Sequence, residues 1–149
     1  VNILNPGPGV GGHCIAIDPW FLVEDTKSGE LIRLSRKTND HKPKLVVRRA
    51  LELLGKSKNV GILGAAFKKD VDDCRESPAL TIYDELTKAG CVVHFHDPHV
   101  VGYKNYKFEK NIEEFKHWSD LIIVATDHSA FEGVKFSKPI LDTRNLIKG

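Results

Sequence analysis

The stretch of this sequence best equipped for chemistry is a run of glycines that ends in a cysteine. It reads Gly-Pro-Gly-Val-Gly-Gly-His-Cys-Ile-Ala-Ile-Asp-Pro-Trp-Phe, from Gly7 to Phe21. Gly7, Gly9, Gly11 and Gly12 put four glycines in six positions. Without Cβ atoms such a backbone reaches positive φ and can approach a ligand closely, and its N–H groups can hold a carbonyl, hydroxyl or phosphate oxygen. Cys14 follows directly and Asp18 comes four residues later. A helical turn starting near Cys14 would put thiol and carboxylate on one face. A thiol, a carboxylate and anion-holding amides together suit covalent catalysis at a carbonyl carbon. The same residues also fit a glycine loop beside an ordinary buried cysteine, with Asp18 capping a helix begun by Pro19. His13 adjoins Cys14, but side chains adjacent in sequence tend to diverge, and it is not assigned as a base.

Other chemistry-bearing residues are sparser. His94 and His96 could share one face of a strand, with His99 beyond the following turn. No convincing fourth ligand accompanies them, so no metal site is expected. Asp97 fits either a ribose-binding acid or the cap of the turn at Pro98. Gly61-x-x-Gly64 is not the G-x-G-x-x-G fingerprint, and the strand before it is not read as a dinucleotide site.

These residues need elements to position them. Val1 to Phe21 reads as a Gly/Pro-rich loop leading into a short apolar stretch. Leu31, Leu34 and Thr38, then Val47, Ala50, Leu51 and Leu54, fall at helical spacing, with Pro43 expected to kink or restart the helix near Asn39 or Asp40. Gly55 to Lys58 reads as a linker. From Asn59 the pattern alternates between strands and helices. Strands are expected at Val60–Leu63, Cys91–Phe95, Leu121–Ala125 and Lys138–Asp142. Between them fall a helix capped by Ser77 and ended by Gly90, and a weaker helix near Ile112 to Trp118. This alternation implies right-handed crossovers and a doubly wound parallel sheet, an α/β fold. Ligands of such sheets bind beyond the carboxyl ends of the strands, which places Ala65 to Lys68, Asp97 and Thr143-Arg144 on the binding edge.

Composition narrows the functional classes. Of 149 residues, 41% are hydrophobic and 28% charged, the balance of a folded globular chain rather than a disordered one. No apolar run approaches the ~18 residues that span a bilayer, so no membrane partner is expected. The net charge of +2 comes from lysines interleaved with acids, not from a basic stripe, so nucleic acid is not an expected partner either. Three widely spaced cysteines do not form a disulfide framework, and a reducing cytoplasm is the expected location. Methionine is absent, even at position 1, and the chemically dense motif begins at Gly7. The chain is therefore expected to be a piece of a longer polypeptide.

Three ordered blocks resemble one family over essentially the whole chain. Gly7 to Phe21 is similar to the catalytic-cysteine loop of the UDP-glucose/GDP-mannose dehydrogenase family, with Cys14 and Asp18 on the pattern. Gly-Gly-His-Cys, rather than Gly-Gly-Ser-Cys, resembles the branch acting on UDP-N-acetylhexosamines, with UDP-N-acetyl-D-mannosamine as the nearest substrate. Leu31-Ile32-Arg33 through Thr38-Asn39-Asp40-His41-Lys42-Pro43 is the second block. Gly64-Ala65-Ala66-Phe67-Lys68 through Asp72-Asp73-Cys74-Arg75-Glu76-Ser77-Pro78-Ala79 is the third. The resemblance implies a Rossmann-like sheet preceded by a helical segment and a catalytic loop. Residues 1–56 would carry the loop and the end of a central dimerisation domain, and residues 57–149 the UDP-sugar-binding domain. It further implies four-electron oxidation of the sugar C6 alcohol to a carboxylate, with NAD as cofactor and a homodimer as the assembly. In that chemistry Cys14 captures the aldehyde as a thiohemiacetal that becomes a thioester, and Asp18 positions or activates water. Gly7, Gly9, Gly11 and Gly12 shape the loop around the sugar, and Lys68 and Arg144 bind the nucleotide sugar. Arg75 faces the cofactor. The family's N-terminal NAD-binding domain is not in this sequence, so the chain alone is expected to be inactive. A non-catalytic nucleotide-sugar-binding module and a dehydrogenase for another UDP-hexose or UDP-N-acetylhexosamine remain the alternatives.

Overall fold

The computed structural model describes residues 5–26 and 28–147; Val1 to Leu4, where the expected N-terminal loop begins, lie outside the described residues. Asp18–Asp25 forms helix α1 and Glu30–Leu54 forms helix α2. Asp18 does not cap α1: it occupies the first helical position, after Ile17, and Pro19 follows it in the first turn. Pro43 does not divide α2, which runs unbroken for 25 residues, so the expected restart at Asn39 or Asp40 is corrected. The missing hydrogen bond at a proline is outweighed here by burial of Pro43, Val46, Val47, Ala50 and Leu54 on one face. Gly55 ends the helix at φ 62°, with its N–H donating to the Leu51 carbonyl.

Four short strands then alternate with two helices: β1 (Asn59–Leu63), α3 (Pro78–Lys88), β2 (Val92–His96), α4 (Ile112–Trp118), β3 (Leu121–Val124) and β4 (Ile140–Asp142). The expected helix signals act as read. The Ser77 hydroxyl accepts the N–H of Ala79 with Pro78 in the first turn, and Gly90 follows the end of α3 at φ 88°. Asn111 caps α4 by accepting the N–H groups of Glu113 and Glu114.

The strands pair in parallel in the order β2-β1-β3-β4. Their apolar runs are continuous because both faces are covered. Val60 and Ile62 of β1 and Leu121 and Ile123 of β3 face a core shared with α2 and α3. Leu63, Ile122 and Val124 face the other side, against Phe115 of α4 and Phe131. The doubly wound α/β arrangement inferred from the sequence is therefore the observed one. The chain leaves β1 toward β2 on one side and returns to β3 on the other, so the loops after β1 and β3 diverge at a switch point. The C-terminal part of α2 packs into the same core through Val46, Val47, Ala50 and Leu54.

Gly61 is fixed by this packing, since a Cβ there would collide with the Phe115 ring and the Ser119 hydroxyl, both fully buried. Gly61→Ala is expected to destabilise the fold by about 1–3 kcal/mol, the usual cost of overpacking. Urea unfolding should show a lower midpoint with an unchanged slope.

Candidate active site

The glycine loop lies across the carboxyl edge of the sheet, and its glycines face the protein's own chain. A Cβ on Gly7 would meet the Arg144 guanidinium, on Gly9 the Pro78 ring, on Gly11 the Glu76 carbonyl, and on Gly12 the Phe67 ring. Gly9 and Gly12 also have φ of 147° and 92°, conformations that side-chain-bearing residues rarely adopt. The Gly12 N–H donates to the Arg75 carbonyl at 3.2 Å. On the other side, Asn39 of α2 holds Val10 by both backbone groups: its Oδ1 accepts the Val10 N–H at 2.8 Å and its Nδ2 donates to the Val10 carbonyl at 3.3 Å. In the sequence Asn39 stands out only as a possible restart of the helix and as part of the second block, because this contact spans 29 positions and leaves no local pattern.

Past the glycines the loop turns into α1. The Cys14 carbonyl accepts the N–H groups of Ile17 and Asp18, at 3.0 and 2.8 Å. One turn therefore separates the thiol from the carboxylate, and both residues are exposed. His13 does meet its neighbour, with Nδ1 3.9 Å from the Cys14 sulfur. Among the three cysteines Cys14 is the exposed one. Burial pushes the Cys74 thiol up to about 12 and raises that of Cys91, which makes both poor nucleophiles.

The basic residues flank this loop. Arg75 is exposed and paired with Asp73, its Nη2 donating to Oδ2 at 2.7 Å. That bond, with a further one from the Arg75 backbone N–H, holds the Asp73 carboxyl below its ordinary range. Arg144 lies under Gly7 and donates through Nε and Nη2 to Asp127 Oδ1, both at 2.8 Å. It also lines a groove of about 1150 Å³ beyond the carboxyl ends of β3 and β4, with Asp127, Asp142 and Thr143. Lys68 is exposed on the loop after β1. The neighbouring Lys69 lies on the groove wall and is paired with Glu132 at 2.8 Å.

Asp97 serves the fold. Its Oδ2 accepts the N–H groups of Ala65 and Ala66 and the His128 Nε2–H, and its Oδ1 accepts the N–H groups of His99 and Val100, all between 2.7 and 3.1 Å. Five donors leave this buried carboxylate no capacity for a ribose, so of its two readings the turn cap is the observed one. His94 stacks on Trp118, and His96 donates Nδ1–H to the Glu109 carbonyl. His99 instead converges with Asp70 and His128. His128 Nδ1 accepts the Asp70 N–H while its Nε2 donates to Asp97, so it has no free lone pair for a metal. Gly61 and Gly64 are packed against Phe115, Ser119 and Thr126, and 14 residues separate the end of β1 at Leu63 from the start of α3 at Pro78. The described residues thus offer no dinucleotide cradle at β1.

Comparison with known proteins matches residues 61–149 to the UDP binding domain of the UDP-glucose/GDP-mannose dehydrogenase family, and residues 1–41 to its central domain. The chain belongs to this family. It is 40% identical to a UDP-N-acetyl-D-mannosamine dehydrogenase of Methanococcus maripaludis, over 99% of this chain and 38% of that protein. It is 35% identical to an NDP-N-acetyl-D-galactosaminuronic acid dehydrogenase of Ralstonia nicotianae, over 98% of this chain and 37% of that protein. A solved UDP-D-ManNAc dehydrogenase from Pyrococcus horikoshii superposes with a TM-score of 0.85 at 33% identity, covering 99% of this chain and 38% of that one. The chain thus spans somewhat over a third of the length of these relatives. The glycine loop falls in the family's central-domain match and docks on its UDP-binding match, so Cys14 lies where the two matched segments meet.

Asp97 gives this architecture a pH dependence. Burial pushes its carboxyl up, but the His128 hydrogen bond and the backbone amides outweigh that and hold it well below the ordinary 3.8. A carboxylate depressed in the folded state stabilises the fold above the ordinary value, and that contribution drains away as pH falls below about 4. Asp97→Asn should cost on the order of 3 kcal/mol at neutral pH by stranding backbone donors. Chemical unfolding of the variant from pH 7 to pH 3 should give a flatter stability profile than the parent chain.

Proposed function

We propose that this chain is the C-terminal part of an NAD-dependent UDP-N-acetyl-D-mannosamine 6-dehydrogenase, which oxidises the sugar C6 alcohol to a carboxylate through covalent intermediates on Cys14. The observation that carries this reading is the docking of the Cys14 loop on the ligand-binding edge of the sheet, between Arg144 at Gly7 and Arg75 at Gly12. Residues 1–56 then carry the catalytic loop and the end of the dimerisation helices, and residues 57–149 the UDP-sugar-binding domain. The Gly-Gly-His-Cys block and the likeness to the Methanococcus UDP-N-acetyl-D-mannosamine dehydrogenase support this substrate.

Each residue has a task in this scheme. Arg144 at the groove and Lys68 on the β1 loop bind the diphosphate, by fork and by point charge respectively. Gly7, Gly9, Gly11 and Gly12 let the loop lie flat, so that the sugar end of the substrate reaches Cys14. Once the C6 alcohol has lost its first hydride and its proton to become an aldehyde, the Cys14 sulfur adds to the carbonyl carbon: the S–H bond and the C=O π bond break, and the proton ends on the thiohemiacetal oxygen. Loss of a second hydride from C6 and of that proton then leaves the thioester. Bound NAD+ supplies hydride acceptance, and the N-terminal part that the relatives carry would hold it, with Arg75 turned toward it. Asp18, one turn from Cys14, positions the water that cleaves the resulting thioester and takes up its proton. This chain alone is inactive because the cofactor site lies outside it. Exposed Phe21, Leu22, Leu31 and Leu34 on α1 and α2 suit the helical interface of a homodimer. No helix among the described residues is long and apolar enough to cross a membrane, and with three free cysteines the enzyme fits the cytoplasm. A nucleotide-sugar-binding module without catalysis is the second reading, favoured by the packing of Gly61 and Gly64 at β1, which leaves no dinucleotide cradle there.

Lys68→Ala should weaken UDP binding by about 1–3 kcal/mol, the worth of a charge-assisted phosphate contact. Calorimetry with UDP tests it, and unchanged affinity in a folded variant would return Lys68 to the surface. Both readings share that result, so the catalytic residues separate them. In the chain completed with its relatives' N-terminal portion, Cys14→Ser should abolish uronic acid formation, because an alcohol is far less acidic than a thiol. Asp18→Asn should accumulate a sugar thioester on Cys14, visible by intact-protein mass spectrometry after mixing with NAD+ and UDP-N-acetylmannosamine. Wild-type turnover by Cys14→Ser would show that Cys14 is not the nucleophile.

A further inference from the structure

Within the described residues one side chain grips the backbone of the glycine loop at both polar groups of a single residue. Asn39 pairs with the Val10 N–H and the Val10 carbonyl, at 2.8 and 3.3 Å, as a neighbouring strand would. Its amide has one orientation, because Asp40 Oδ1, which can only accept, takes Nδ2–H at 3.2 Å. Asp40 is held in turn by Arg36 Nη2 at 2.7 Å. Pro43 adds a second feature to the same spot. It has no N–H, so the Asn39 carbonyl four residues back lacks its helical donor. The loop packs against this notch at Gly9, where a Cβ would lie 3.6 Å from the Asn39 carbonyl oxygen. A small cavity of about 220 Å³ lined by Val10, Arg36, Asn39, Pro43 and Glu76 marks the seam.

We propose that Asn39, set beside the Pro43 notch in α2, is the positioning residue of the Cys14 loop. By fixing Val10, four residues before the thiol, it sets where the sulfur stands relative to the edge that holds the nucleotide sugar. This rests on the reading of Cys14 as nucleophile. An alanine would lose both bonds to Val10. An aspartate would keep the size and the acceptor while turning a carboxylate oxygen toward the Val10 carbonyl and the Asp40 carboxylate.

The test compares Asn39→Ala and Asn39→Asp with the parent, in the chain completed with the N-terminal portion of its relatives. Turnover, KM for UDP-N-acetylmannosamine, iodoacetamide alkylation of Cys14 and thermal unfolding are followed together. A displacement of about an ångström at the reacting atom costs on the order of a hundredfold in rate. That fall is expected in kcat for both variants, with KM nearly unchanged, an altered alkylation rate and cooperative unfolding retained. A folded Asn39→Ala enzyme with parental kcat and parental alkylation rate would overturn the proposal. Should the alanine variant not fold, Asn39→Asp, of equal volume, decides on the same two readouts. If Cys14→Ser keeps its turnover, the nucleophile reading fails. If Cys14→Ser is dead while the folded Asn39 variants match the parent, only the positioning role fails.

Discussion

Close contact between a bare backbone and a crowded sheet edge governs how this chain is built. The loop from Gly7 to Gly12 lies tightly on Arg144 and Pro78, and on the Glu76 carbonyl and the Phe67 ring at separations that leave no room for a Cβ at Gly11 and Gly12. A methyl group added at Gly11 would collide with the Glu76 backbone, so the loop could not lie where it does. The glycines thus let two parts of the chain touch, and Cys14 follows directly on that contact. The grip of Asn39 on Val10 and the Gly12 bond to the Arg75 carbonyl pin the loop from opposite sides.

A second constraint keeps the edge itself in shape. Asp97 gathers the amides after β1 and the turn after β2, and joins both to His128 on the segment following β3. These three segments end at the switch point of the sheet, where the doubly wound topology opens a cleft. A buried carboxylate is costly unless its oxygens are satisfied, and here five donors satisfy them. The polar hub therefore fixes the loop that carries Phe67 and Lys68, and through Phe67 it supports Gly12.

The matched segments of the family are not mechanically separate in this chain. Helix α2 starts among exposed apolar residues beside α1 and ends inside the core of the sheet. Asn39 and Pro43 sit between these regimes, at the point where the helix stops facing outward and begins to pack. An element that spans both regions can transmit the sheet's rigidity to the loop, which a flexible linker could not.

The sequence by itself determined what local chemistry and local patterning encode. Apolar runs set the four strands, Ser77-Pro78 and Gly90 set the bounds of α3, and the spacing of Cys14 and Asp18 set the turn between them. These signals act over a few residues, through capping, φ preference and burial of a continuous apolar strand. The tertiary structure decided everything that depends on distant partners. It made α2 continuous through Pro43, since packing of Val46, Val47 and Ala50 outweighs one lost hydrogen bond. It joined Asp97, already legible as a cap of the turn at Pro98, to the amides after β1 and to His128, separated His94 and His96 from His99, and brought Asn39 under Val10. The deciding partners lie 13 positions away for His96, 29 for Asn39 and 31 for His128 at Asp97, and no propensity or period in the chain records where a folded sheet will place them.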